Sequence, residues 1–208
     1  DWLLNYRGGS FMCDFHPAIQ NELVVRGVSY EIISSAQANQ IIAEISSPSA
    51  NYDIMKLEKY PRIAVYSPKS KLPWDDAVTL VLTYAEIPYD IIFDDEVMTG
   101  QLPKYDWLHL HHEDFTGQYG KFYVNYSNMP WYIEQQKEAE DLARKYGFHK
   151  VSQLKLSVAK KIKEFVTGGG FMFAMCSATD TYDIALAAEG IDICDRYYDG
   201  YPAHPHAQ

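Results

Sequence analysis

The chain of 208 residues is long enough for one large domain or two small ones. Its apolar share of 47% and charged share of 22% are those of an ordinary globular protein, which excludes collagen-like, coiled-coil, disordered and disulfide-scaffold classes. With 18 basic against 28 acidic residues the net charge is −10, so neither nucleic acid nor an anionic membrane surface is an expected partner.

No stretch approaches the roughly 18 apolar residues of a membrane-spanning helix. No signal peptide is expected in these residues. The chain opens inside an apolar run, Trp2-Leu3-Leu4, and closes on His204-Pro205-His206, so both ends read as cuts in a longer chain.

Strand and helix patterns alternate along the chain, which predicts a mostly parallel sheet in a three-layer α/β sandwich of flavodoxin-like type. Trp2–Tyr6 is a short apolar run broken by Arg7-Gly8-Gly9-Ser10. Pro17–Arg26 reads as a helix stopped by Gly27, Ser29–Ile33 as a strand, and Gln37–Ile45 as a helix with Ile41, Ile42 and Ile45 on one face. Ser46–Asn51 is rich in turn formers and is the best linker candidate. Ile63–Tyr66 then reads as a strand. Pro73 opens a helix whose buried stripe is expected to be Ala77, Leu80, Val81 and Tyr84.

Tyr89–Phe93 and Trp107–His111 are further strands. Pro130–Tyr146 is a long charged helix with Asn128 as its expected cap. Ser152 is the expected cap of the next helix, with Leu154, Val158, Ile162 and Phe165 facing inward and Lys155, Lys160 and Lys163 facing water. After Gly168-Gly169-Gly170, the continuous apolar run Phe171–Met175 reads as a strand buried on both faces. A turn at Cys176-Ser177-Ala178 leads into a helix over Thr179–Glu189.

That strand–Cys176–helix passage is the sharpest chemical signal. The three cysteines, Cys13, Cys176 and Cys194, form no CxxC pair, so zinc-ribbon and thioredoxin readings fail and no metal site is assigned. A cysteine on a tight turn at the carboxyl end of a strand sits where open α/β sheets bind ligands, and a helix N-terminus favours the thiolate. The Ser177 amide is then the natural oxyanion donor. The plain alternative is a small apolar residue closing the sheet edge. Ala174 and Ala178 occupy the positions where such elbows usually carry glycine.

The run His109-Leu110-His111-His112-Glu113-Asp114 ends a predicted strand at the same edge. His109 and His111 share one strand face and read as packed histidines. At least one of His112, Glu113 and Asp114 is a candidate for a metal site or for the base serving Cys176. The segment Phe115–Asn128 carries Phe115, Tyr119, Phe122, Tyr123 and Tyr126 among glycines and amides. Tyr119, Tyr123 and Tyr126 suit a sugar ring or a protein partner, the alternative being a self-packed loop. Gly8-Gly9-Ser10 and the Lys69/Lys71 loop fit no phosphate-binding fingerprint and read as solvated turns.

From Gly168-Gly169-Gly170-Phe171 through Cys176-Ser177-Ala178-Thr179-Asp180-Thr181 the chain resembles the ThuA-like group of the class I glutamine amidotransferase-like superfamily. In that group a histidine stands where this chain has Cys176. The stretches Asp1–Phe11, Tyr66–Ser70, Pro73–Ala77 and Trp107–Phe115 resemble a bacterial family commonly labelled asparagine synthetase B, over nearly the whole chain.

The resemblance implies residues 51–208 as an amidotransferase-like domain cut short at its C-terminus. Residues 1–50 become a βαβα part of the same or an adjoining layer. It also implies a periplasmic or exported location. A true asparagine synthetase is not expected, because the SGGxDS loop of its ATP-pyrophosphatase domain does not occur in this sequence.

Two functions stand as expectations. One is a hydrolase or amidotransferase in which Cys176 attacks an amide or ester carbonyl, with His112, or a histidine outside these residues, as base, Glu113 assisting, and Ser177, Asp180, Tyr119, Tyr123 and Tyr126 holding a small-molecule substrate. The other is a non-catalytic module that binds carbohydrate, or binds a protein through residues 115–147. No cofactor is assigned by the sequence.

Overall fold

The computed structural model describes residues 10–49, 59–68, 77–110, 123–199 and 201–207. It divides into two compact units, residues 1–59 and residues 60–208.

The first unit contains two helices, α1 (Pro17–Val25) and α2 (Ser35–Ile45). Pro17 opens α1 at the position where its missing N–H costs nothing, and the His16 ring accepts from the Ala18 N–H at 3.2 Å. α2 starts with a reciprocal capping box. The Ser34 hydroxyl accepts from the Gln37 N–H at 3.3 Å, and the Gln37 amide oxygen accepts from the Ser34 N–H at 2.8 Å. The strand expected over Ser29–Ile33 does not form: these residues lie in no ladder. Neither helix buries a side chain.

The second unit is an α/β sandwich with four parallel strands among the described residues: β1 (Ile63–Tyr66), β2 (Asp90–Ile92), β3 (Trp107–Leu110) and β4 (Phe171–Phe173). Their order is β2-β1-β3-β4, the arrangement of a flavodoxin-like sheet as far as it goes. β1 is central and all four of its residues are buried. Val65 pairs with Ile91 on one side and His109 on the other.

Among the described residues the helices of this unit include α3 (Ala77–Tyr84), α4 (Asp94–Met98), α5 (Pro130–Lys145), α6 (Val151–Thr167), α7 (Ser177–Ala187) and α8 (Arg196–Asp199). α6 is the organising helix and packs against α4, α5, α7 and a 3₁₀ turn at Leu102–Lys104. Its Leu154, Val158 and Ile162 meet Tyr66, Ile92, Leu108 and Leu110 of the sheet in one core. Among the described residues no helix is long and apolar enough to cross a membrane.

Several local expectations need correction. α5 is not capped by Asn128: Met129 is the cap residue, without a side-chain bond, and Pro130 at the first position sets the start. Ser152 lies inside α6. There the Gln153 side chain accepts from the His149 N–H at 3.0 Å and the Lys150 N–H at 3.3 Å. On α3 the buried residue is Thr79, while Leu80, Val81 and Tyr84 are exposed. β4 is not buried on both faces either. It pairs only with β3 among the described residues, and Phe171 and Phe173 are exposed. Apolar composition alone does not tell an outer strand from an inner one.

The glycine run ending α6 has a packing role. A Cβ on Gly170 would stand 2.3 Å from the Phe165 ring, so any larger residue there must displace that ring.

Candidate functional site

Chain connections leave β1 for β2 on one side and reach β3 on the other, so the sheet changes direction between β1 and β3. Ligands of open α/β sheets bind at the carboxyl ends of the strands beside such a point. Three features stand at that edge or lead from it: the end of β1, the turn after β4, and the segment that follows β3.

At the end of β1 lies a buried polar cluster. Tyr66 closes the strand, Asp94 opens α4 just after β2, and Lys155 projects from α6. The Lys155 ammonium sits 2.7 Å from Asp94 Oδ2 and donates to the Tyr66 hydroxyl at 3.1 Å. The Tyr66 hydroxyl donates to Asp94 Oδ1. The ammonium also lies 4.2 Å from the centre of the Phe93 ring. Lys155 and Asp94 are 5% and 3% exposed at the side chain, so each charge depends on the other. Next to them Ser67 is buried and donates its N–H to Ile92 O at 3.0 Å, which ties the end of β1 to β2.

This corrects the expectation that Lys155 faces water. The buried face of α6 is broad because it meets both the sheet and α4, and Lys155 lies between Leu154 and Val158 on that face. Helical periodicity gives a lysine no reason to be inside, and its partner Asp94 is far away in sequence.

After β4 the chain passes Cys176 and enters α7 directly. Cys176 has φ 56° and ψ −142°, a region that side-chain-bearing residues rarely adopt. Its thiol is free and exposed. Thr179 secures the elbow: its N–H donates to the Cys176 carbonyl at 3.2 Å and its hydroxyl donates to the same oxygen at 2.6 Å. Ser177 is the first residue of α7, and Asp180 lies in the helix's first turn, exposed. Ala178 is fully buried in the core, so a larger side chain there would collide with the packing that seats the helix. His109 lies buried on β3, its ring stacked on Phe173 with centroids 5.3 Å apart, which matches its reading as a packed histidine.

His112, Glu113 and Tyr119 lie outside the described residues. Tyr123 and Tyr126 lie in a helical turn over residues 123–126 just before α5. Tyr126 packs on Trp131 with centroids 5.5 Å apart, and Tyr123 approaches Tyr132 at 6.4 Å. Tyr123 also lines a groove of about 450 Å³ together with Val124, Ser127, Arg196, Tyr197 and Pro202. Among the described residues Cys176, Ser177, Asp180 and Tyr126 are not part of that lining.

The sequence does not single out Arg196 and Tyr197. They fall in a proline- and histidine-bearing tail without periodicity, where nothing in the sequence marks a groove. Among the described residues no cluster of three or more His, Cys, Asp or Glu side chains is placed to hold a metal ion. Comparison of the chain with protein-family models, with curated proteins and with solved structures returned no match.

Proposed function

We propose that residues 60–208 form an amidotransferase-like hydrolase domain in which Cys176 attacks an amide or ester carbonyl. The observation that supports this reading is the backbone of Cys176, with φ 56° and ψ −142° on an exposed thiol between β4 and the first turn of α7. A strained residue persists where its surroundings enforce it, and such residues cluster at reactive sites. An elbow of this kind lifts the nucleophile clear of its neighbours.

In the proposed reaction the base takes the Cys176 thiol proton, the thiolate adds to the carbonyl carbon and the carbonyl electron pair moves onto oxygen, held by the Ser177 N–H. The tetrahedral species collapses with loss of the C–N or C–O bond, and the leaving group takes a proton from the base. Water then attacks the thioester, gives a proton to the same base, and frees the thiolate. His112, followed in sequence by Glu113, is the base this reading assigns. Asp180 and the tyrosines at 119, 123 and 126 are its substrate contacts.

The test is turnover of p-nitrophenyl acetate by the full chain. A burst of nitrophenol equal to the enzyme concentration, with an acetyl group mapped to Cys176, supports the reading. No burst, or a burst that persists in Cys176→Ser, rejects it.

A second reading, a saccharide-binding module, draws on one specific observation: the groove that Tyr123 shares with Tyr197 and Arg196. Aromatic faces beside polar hydrogen-bonding groups are the usual furniture of a sugar site.

A further inference from the structure

The groove at Tyr123 carries polar groups that have no partner among the described residues. Arg196 makes no ion pair or side-chain hydrogen bond among the described residues, in a chain whose net charge is −10. Two carboxylates near it in sequence, Asp192 and Asp195, are engaged elsewhere. Asp192 pairs with Lys150 at 3.0 Å and accepts the Cys194 N–H at 3.1 Å, and Asp195 accepts the Tyr197 N–H at 2.9 Å.

Two hydroxyls on the same groove, those of Ser127 and Tyr123, likewise have no hydrogen-bond partner among the described residues. Two tyrosine rings, Val124 and Pro202 supply its apolar surface. A volume of about 450 Å³ falls in the range of small-ligand sites.

We propose that this groove binds an acidic saccharide, a uronic acid unit whose carboxylate pairs with Arg196 and whose ring packs on a tyrosine face. Guanidinium and carboxylate form paired, charge-assisted hydrogen bonds, which a neutral sugar cannot offer. The sugar hydroxyls meet the Ser127 and Tyr123 hydroxyls, and the apolar ring face meets Tyr123 or Tyr197. Arg196 thereby sets specificity and the tyrosines supply affinity common to all sugars. This rests on the saccharide-module reading, and its test leaves Cys176 unchanged.

The experiment is calorimetric titration of the full chain with a galacturonic acid tetramer and, separately, with the neutral glucose tetramer cellotetraose. The expected result is binding of the acidic oligosaccharide about tenfold or more tighter than the neutral one, weakened by added salt. Arg196→Gln removes that preference, and Tyr197→Ala weakens both sugars. Arg196 is exposed, so its loss leaves the core untouched.

Equal binding of the two sugars overturns the proposal while sparing the saccharide reading. Equal binding of polyglutamate overturns it in favour of an anion site without sugar selectivity. Binding of neither sugar overturns both.

Discussion

The Lys155 ammonium lies 2.7 Å from Asp94 Oδ2, and both side chains are closed off from water. Attraction in a buried site offsets the lost hydration only when both partners are present. Lys155→Met, which leaves Asp94 buried without its cation, is expected to cost about 3–5 kcal/mol. Combining it with Asp94→Asn is expected to cost less than the sum of the two single changes, because the orphaned charge is removed as well. Urea denaturation of the three variants measures this. Strict additivity would mean that the two groups do not interact.

Cys176 and Glu86 are the two described non-glycine residues with positive φ, at 56° and 57°. Both are exposed, so glycine at either position forfeits little packing. Cys176→Gly is expected to raise stability by about 1 kcal/mol by relieving backbone strain, at the expense of the thiol. Glu86→Gly should raise it similarly and leave Cys176 chemistry intact. A loss of stability at 176 would show that the elbow is not strained.

Gly170 touches the Phe165 ring where a Cβ would stand. Gly170→Ala is expected to destabilise by about 1–3 kcal/mol through displacement of that ring. Phe165→Leu in the same chain should recover part of the loss, read as a shift in thermal midpoint.

The Tyr105 hydroxyl donates to Asp90 Oδ2 at 3.0 Å. Burial, helped by Asp90, pushes the Tyr105 phenol up to about 12. Its folded value lies above the unfolded one, so its contribution is complete below pH ~10 and is lost as pH rises toward 12. Thermal midpoints should fall over that window, and Tyr105→Phe should flatten the fall. An equal fall in the variant would assign it to other groups.

The sheet was legible because its strands are short apolar runs bounded by turn residues, and Ile63–Tyr66 is the clearest. The passage from β4 through Cys176 into α7 was legible for the same reason. The conformation of Cys176 was not, since glycine is the residue that announces a positive φ. The exposed Phe171 and Phe173, and the outward Leu80 and Val81, escape any argument from composition because the neighbours of an element decide its burial. Lys155 escapes for a related reason: only the three-dimensional approach of Asp94 makes a buried lysine tolerable.

The thiol of Cys176 carries the account, and its reactivity is the measurement to make. Iodoacetamide labelling of the full chain, followed by mass spectrometry, compares Cys176 with the exposed Cys13 in one sample. The account predicts that Cys176 is labelled about tenfold faster than Cys13, with labelling at that site abolished in Cys176→Ser. Labelling of Cys176 at the rate of Cys13 would contradict it.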